Sequence, residues 1–156
     1  MEFSNLDAID RRLLEALQRD ASRTNQQLAA DLHLSPPTCL RRVQRLRQSG
    51  LIAREVALLD VDRLGATLTA IVEISLDRQD EQSLAAFEAR VAPDEAVQQC
   101  YRVSPGPDFV LIVTVRNMPA YQALAQRLFT SDANVRNVKA FFSVRRAKFE
   151  PRVPLE

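Results

Sequence analysis

The stretch LSPPTCLRRVQRLRQSGLI, residues 34–52, contains a helix start, an amphipathic helix and a helix stop in direct succession. Ser35 is a natural N-cap, and Pro36 suits the first helical position because its missing N–H would have no partner there. Gly50 supplies a C-terminal stop. The apolar residues between these ends recur at helical spacing and should face a core: Cys39, Val43 and Leu46. This stretch predicts one complete helix, the third in the chain.

Two shorter helices are predicted ahead of it. The first has a helical apolar row, Leu6, Ile9, Leu13 and Leu17, and two acids near its first turn, Asp7 and Asp10. Acids are favoured there by the helix dipole. The second begins at Thr24, which forms a capping box with Gln27, and His33 occupies the bend before the third helix. Two helices joined by a short turn predict a three-helix helix-turn-helix domain over residues 1–54.

Charge placement indicates what the third helix contacts. The net charge of the chain is only +1, yet five arginines and no acid lie between residue 34 and Arg54. Arginine contacts phosphates and binds guanine edges in the major groove, and the first residues of a recognition helix approach base edges. We therefore predict contacts to double-stranded DNA from Ser35, Pro37, Thr38, Arg41, Arg42, Arg45 and Arg54. The alternative is that these arginines form only a solvated helix face.

The rest of the chain has a different periodicity. Residues 55–65 predict a hinge strand or hairpin followed by a linker, and alternation of apolar residues begins near residue 66. Over residues 66–156 the predicted order is β-α-β-β-α-β, with a last strand over about 135–149. This is the ferredoxin-like arrangement. The predicted fold is therefore α+β, a helix-turn-helix domain followed by a ferredoxin-like βαββαβ sandwich.

One face of the predicted sheet needs a partner. Both helices should cover the same face, but FVLIVTV, residues 109–115, is apolar on both sides, and Ile71 and Phe141 fall opposite their strands' main apolar rows. A soluble monomer rarely leaves such a surface open. We expect a homodimer with its sheets packed face to face, and a charge at Val113 should then disrupt it.

Several other classes of protein are disfavoured. No apolar run approaches the roughly 20 residues of a membrane helix. Cys39 and Cys100 are too far apart in sequence to form a disulfide framework, and this absence of disulfides favours the cytoplasm. Neither their spacing nor the single histidine fits a metal site. The sequence contains neither a recognisable nucleophile–base pair nor a phosphate-binding glycine loop, so it does not predict an enzyme. No cofactor is expected. Residues 109–115 also lack the pattern of RNA-recognition strands.

These stretches together resemble the Lrp/AsnC (leucine-responsive, feast/famine) family of transcriptional regulators. The similar segments are LDAIDRRLLEALQRDAS, LAADLHLSPPTCLRRVQRLRQSGLI, ALLDVDRLG, VEISLDRQDEQSLAAFEA and YRVSPGPDFVLIV. The resemblance implies an N-terminal helix-turn-helix, a hinge strand, and a C-terminal α/β-sandwich for effector binding and assembly. It also implies a response to a small amino acid, and dimers that assemble further, to octamers.

The resemblance places the effector near the loop after the second strand. The residues it implies are Ser104, Pro105, Gly106 and Asp108, with Ala140 where the family commonly has threonine. The family pattern Ser/Thr-Gly-x-x-Asp-Tyr has become SPGPDF in this chain, and its two prolines remove backbone donors. The alternative hypothesis is therefore a constitutive architectural DNA-binding protein with no amino-acid effector.

Overall fold

The structure, a computed structural model, describes residues 6–65 and 67–155 and divides them into two compact units. The first unit runs to Leu58 and resumes at Lys148, and the second is Leu59–Ala147. Residues from Lys148 onward, which the sequence analysis placed in the C-terminal domain, thus belong to the first unit. The predicted domain ends at residues 1 and 156 and the boundary at residue 66 lie outside the described residues. In the described part of the chain, no helix has the length and apolarity to cross a membrane.

Three helices form the first unit, as predicted: α1 (Ala8–Arg19), α2 (Asn25–Asp31) and α3 (Pro36–Gln48). Asp7 caps α1 and Thr24 caps α2, each in a reciprocal capping box with the residue three positions later. The three helices enclose one apolar core: Leu6, Leu13, Leu14, Leu28, Ala29, Leu32, Cys39, Val43 and Leu46. The predicted inward row of α3 is confirmed.

The ends of α3 follow the local sequence with one difference. His33, in the turn before it, has a φ of 55°, in the left-handed region that favours glycine. Gly50 ends the helix with a φ of 78°. Ser35 has the extended backbone of an N-cap but makes no capping bond, and its hydroxyl donates to the Thr38 hydroxyl at 2.8 Å.

The predicted hinge strand within 55–65 is not formed in the structure. Residues 53–60 have no regular structure, and a single 3₁₀ turn follows at Val61–Arg63. A strand needs a neighbour for its backbone N–H and C=O groups, and this segment has none among the described residues of the chain. Its start is held instead by Arg47, whose Nε and Nη2 donate to Glu55 Oε1 at 3.0 and 2.7 Å.

The C-terminal tail packs on α1. The Gln18 side chain makes two bonds to the backbone of Val153: Nε2 donates to its carbonyl at 3.0 Å, and Oε1 accepts from its N–H at 2.7 Å. Leu155 packs against the apolar core of the first unit. The last strand ends at Phe142, earlier than the predicted residue 149.

The second unit has the predicted β-α-β-β-α-β order. Its elements are β1 (Leu68–Leu76), α4 (Glu81–Val91), β2 (Val97–Arg102), β3 (Phe109–Val115), α5 (Met118–Ala125) continuing as a π-helical turn (Gln126–Thr130), and β4 (Val135–Phe142). The sheet is antiparallel with strand order β2-β3-β1-β4. Alternate residues of β1 and β3 are fully buried with α4 and α5: Ala70, Val72, Ile74, Phe109, Leu111 and Val113. The ferredoxin-like prediction is confirmed.

The opposite face of the sheet carries the other residues of each strand. Ile71 lies there between Ile112 on β3 and Phe141 on β4, and Ile71 and Phe141 are 40% and 44% exposed. The Lys139 ammonium lies 4.8 Å from the centre of the Phe141 ring. Val113 belongs to the helix-covered face and is fully buried. The charge proposed at Val113 would therefore damage the core, and Ile112 is the residue that tests the open face.

Candidate functional sites

The outward side of α3 is the candidate DNA-binding surface. Pro37 and Arg41 are exposed on it, and Thr38, half-buried, accepts the hydrogen bond from Ser35. Asn25 of α2 donates to the Pro36 carbonyl at 2.8 Å, which ties the first turn of α3 to the preceding helix. The amino end of α3 is thus held in place while its outward side chains stay accessible.

Two of the predicted DNA contacts are already paired within the chain. Arg42 Nη1 donates to Asp7 Oδ2 at 2.6 Å and to Asp10 Oδ1 at 2.9 Å. Arg45 Nη2 donates to Asp10 Oδ2 at 2.5 Å. The Asp10 side chain is 1% exposed, whereas those of Arg42 and Arg45 are 20% and 48% exposed. Arg42 therefore lies against α1 rather than pointing away from the core.

The pKa values of this cluster reflect its pairing. The Asp7 pKa lies below its ordinary value because the carboxylate accepts the Asp10 backbone N–H, and because Arg42 donates to it. The Arg42 pKa is raised by its bonds to Asp7 and Asp10. Both shifts favour the charged forms.

Arg41 and Arg54 differ from the other arginines of this stretch. Both are exposed, and neither makes an ion pair with any described residue. Arg54 lies in the irregular segment after α3. Of the five arginines, these two are free to meet phosphate without first leaving an intramolecular carboxylate.

Three further exposed residues, not predicted from the sequence, lie on the same side of α3. They are Leu40, Gln44 and Gln48. Gln44 lies three positions after Arg41, on the same helical face, and glutamine binds adenine edges through two hydrogen bonds. The sequence signal for Gln44 is its helical spacing from Arg41, not its charge.

The 104–108 loop is tied to the end of β1. The Asp108 backbone N–H donates to the Ile74 carbonyl at 2.8 Å, and its Oδ2 accepts from the Leu76 N–H at 2.7 Å. Gln79 Nε2 donates to the same oxygen at 3.3 Å. Ser104, Pro105 and Gly106 are exposed, and Gly106 has a φ of 123° that favours glycine. Asp108 thus anchors the loop to β1, and the exposed residues of the loop precede Asp108 in the chain.

Ala140 lies apart from that loop within one chain. It is on β4, paired with Val72 of β1, and packs against the helix-side core. The loop leads into β3, on the other side of β1. The structure therefore brings Ser104, Pro105, Gly106 and Asp108 together and leaves Ala140 separate. Within the described residues, no cluster of three His, Cys, Asp or Glu side chains could hold a metal ion.

Both units match known protein families. Residues 6–47 match the AsnC-type helix-turn-helix domain, and residues 69–153 match the Lrp/AsnC ligand binding domain. The chain is 36% identical to a leucine-responsive regulatory protein of Rhizobium meliloti over 143 residues, 92% of each chain.

Solved structures are similar over nearly the whole chain. An AsnC family transcriptional regulator from Agrobacterium tumefaciens has a TM-score of 0.90 at 31% identity, covering 96% of this chain and 97% of its own. A transcriptional regulator from Neisseria meningitidis, solved as a complex with L-Met, has a TM-score of 0.89 at 26% identity and 97% coverage of both chains. These relatives are regulators rather than enzymes. With both family domains matched in order, this chain belongs to the Lrp/AsnC family of DNA-binding helix-turn-helix transcriptional regulators.

Proposed function

We propose that this regulator reads double-stranded DNA as a homodimer through the outward side of α3, with Arg41 and Arg54 neutralising phosphates. The observation that carries the proposal is the exposed row of Pro37, Arg41 and Gln44, with Arg54 exposed after the helix. Neither arginine has a carboxylate partner among the described residues. A dimer presents two such helices, which fit half-sites about 10–10.5 base pairs apart or at multiples of that spacing. The DNA partner and the free cysteines support a cytoplasmic location.

The open face of the sheet is the surface we assign to dimerisation. Val110 and Ile112 are half-buried there beside the exposed side chains of Ile71 and Phe141. A second copy would cover all four residues with the same four, as a twofold interface requires. Assembly of dimers into an octamer is the further step that the family resemblance implies.

We propose an amino acid as the effector and the 104–108 loop as its place of binding. The complex of the Neisseria regulator with L-Met supports this ligand class. Ser104 and Gly106 offer a hydroxyl and a backbone N–H at an exposed loop. The effector shifts assembly or DNA affinity only to the extent that it binds one state more tightly, typically by about 1–3 kcal/mol.

A second candidate is a constitutive architectural DNA-binding protein without an effector. Two features of the loop favour it: Pro105 and Pro107 have no N–H to donate, and the Asp108 carboxylate already holds the end of β1. Ala140 also provides no hydroxyl.

Fluorescence anisotropy tests the DNA-reading proposal. A duplex is first selected in vitro from random sequence with the wild-type protein, and its binding is compared with that of a scrambled duplex at two salt concentrations. Strong discrimination together with a steep salt dependence supports a sequence-specific regulator. Equal, weak binding to both duplexes contradicts it. Titration calorimetry with each of the twenty amino acids then separates the candidates: one saturable ligand supports the effector, and twenty flat traces support the architectural protein.

A further inference from the structure

We propose that Asp10 is a positioning residue for DNA reading, because its buried carboxylate holds Arg42 and Arg45 and so sets the rotation of α3 about its own axis. The inference rests on the proposed function, since it assumes that the outward side of α3 reads DNA.

Both oxygens of the Asp10 carboxylate are occupied. Oδ1 accepts from Arg42 at 2.9 Å, and Oδ2 accepts from Arg45 at 2.5 Å. Oδ2 also faces the Asp7 backbone N–H, at 3.4 Å, in the capping box that begins α1. The anion is therefore fixed to the first turn of α1 from one side and to α3 from the other.

Arg42 and Arg45 lie three residues apart on α3, so they are neighbours on its surface. Apolar packing through Cys39, Val43 and Leu46 draws α3 onto the core but is not directional. Hydrogen bonds between guanidinium groups and a carboxylate are directional and charge-assisted. The two hydrogen bonds to the buried Asp10 carboxylate therefore oppose rotation of α3 about its axis. The apolar row alone would resist this rotation less.

The same pairing changes the charge that DNA meets. Arg42 and Arg45 are balanced by Asp7 and Asp10, and Arg47 is balanced by Glu55. Arg41 and Arg54 remain as the arginines of this stretch without a carboxylate partner among the described residues. Holding two cations away from phosphate limits sequence-independent attraction, because each neutralised phosphate adds about 0.9 to the slope of log K against log salt.

Removing the Asp10 charge should therefore weaken discrimination while strengthening non-specific binding. In Asp10→Asn, Arg45 loses its carboxylate partner and becomes available to phosphates, while Arg42 keeps its pair with Asp7. Rotation of α3 is then opposed mainly by its apolar row. We expect the slope on scrambled DNA to steepen by about 0.9, the effect of one released arginine. We also expect the ratio of affinities for selected and scrambled duplexes to fall about tenfold, the effect of one mismatched base pair.

Asp20→Asn is the matched control. It changes the net charge equally and lies in the same unit, but Asp20 bonds to Ser22 just after α1 and not to α3. It should keep the wild-type discrimination and slope.

Arg45→Gln keeps the test decisive if Asp10→Asn fails to fold, because Arg42 continues to balance Asp10. We expect its discrimination to fall with an unchanged salt slope, since Arg45 is held by Asp10 and not by phosphate.

All variants are measured as full-length protein by anisotropy on the selected and scrambled duplexes over a salt series. A folded Asp10→Asn with wild-type discrimination and slope overturns the inference alone. Arg45→Gln with a slope lower by about 0.9 and intact discrimination also overturns it, because Arg45 would then be a phosphate contact. A wild-type protein that does not discriminate overturns the proposed function, and the inference with it.

Discussion

Asp10 Oδ1 accepts a hydrogen bond from Arg42 Nη1 at 2.9 Å, across 32 residues of sequence. The bond joins a buried carboxylate in the first turn of α1 to the middle of the candidate recognition helix. Part of the arginine cluster that the sequence predicts to be exposed therefore forms a contact between two helices. The adjacent arginines 41 and 42 therefore have different expected roles.

Alanine at Arg41 and at Arg42 should have different effects. Arg41→Ala should lower the salt slope of DNA binding by about 0.9 and leave stability unchanged, because an exposed arginine is lost. Arg42→Ala should lower the free energy of unfolding by about 1–3 kcal/mol, since a charged hydrogen-bond partner of buried Asp10 is removed. Urea denaturation and salt-dependent anisotropy measure the two effects. Equal stability of the two variants would contradict this distinction.

The lowered pKa of Asp7 makes the first unit sensitive to acid. Because the folded-state pKa lies below the ordinary value of 3.8, the ionised carboxylate stabilises the fold above that pH. This contribution is lost as the pH falls through the lowered pKa. Asp7→Asn keeps a good N-cap without the charge, so it should be less stable than wild type near pH 6 and converge with it in strong acid. Denaturant titrations across pH measure this, and a constant difference would argue against an electrostatic origin.

The C-terminal tail should stabilise the helix-turn-helix unit. A chain ending at Ala147 loses the two bonds between Gln18 and Val153 and the packing of Leu155. We expect the truncation to lower the free energy of unfolding by about 1–3 kcal/mol, measured by thermal unfolding. Gln18→Ala should reproduce part of the loss. Val153→Ser is the control: it keeps the backbone bonds, and its exposed side chain contributes little, so a large effect there would point to side-chain packing instead.

The open sheet face can be tested with Ile112→Glu. Ile112 is half-buried beside exposed Ile71, so a carboxylate at this position should oppose a second apolar sheet and yield monomers. Ala86→Glu, on the exposed side of α4, is the control and should leave the mass unchanged. Light scattering after gel filtration gives the mass of each variant. A folded Ile112→Glu dimer would place the interface elsewhere.

Asp108 should matter for the loop through its acceptor oxygen rather than its charge. Asp108→Ala leaves the N–H of buried Leu76 without its acceptor and should cost about 1–3 kcal/mol of stability. Asp108→Asn keeps an oxygen in that place and should cost much less. Chemical denaturation of both variants measures the difference. Similar losses in the two would mean that the negative charge is what holds the loop.

Local sequence was sufficient for the helices of the first unit. Thr24 and Gln27 satisfy each other's backbone donors, and Pro36 and Gly50 mark the ends of α3 by their own conformational limits. The same holds for most of β1, where Thr69, Glu73 and Ser75 alternate with buried residues and Ile71 is the apolar exception. Interactions within a few residues determine these features, so no tertiary contact is needed to predict them.

Face assignment in β3 could not be predicted in this way. Ile112 and Val113 are adjacent, similar in size and equally apolar, and only the position of the two helices decides which is buried. The irregular structure of 53–60 has a comparable cause, because a strand depends on a neighbour that its own sequence does not provide.

The sequence by itself determined the element order, the helix ends and the place of the positive charge, since each depends on residue type and short spacing. Only the tertiary structure decided which charges are balanced and what the tail packs on. Arg45 meets Asp10 across 35 residues, and Gln18 meets Val153 across 135. Such partners are set by how helices and tail pack in space, and the directional bonds between them have no periodic signature in the sequence.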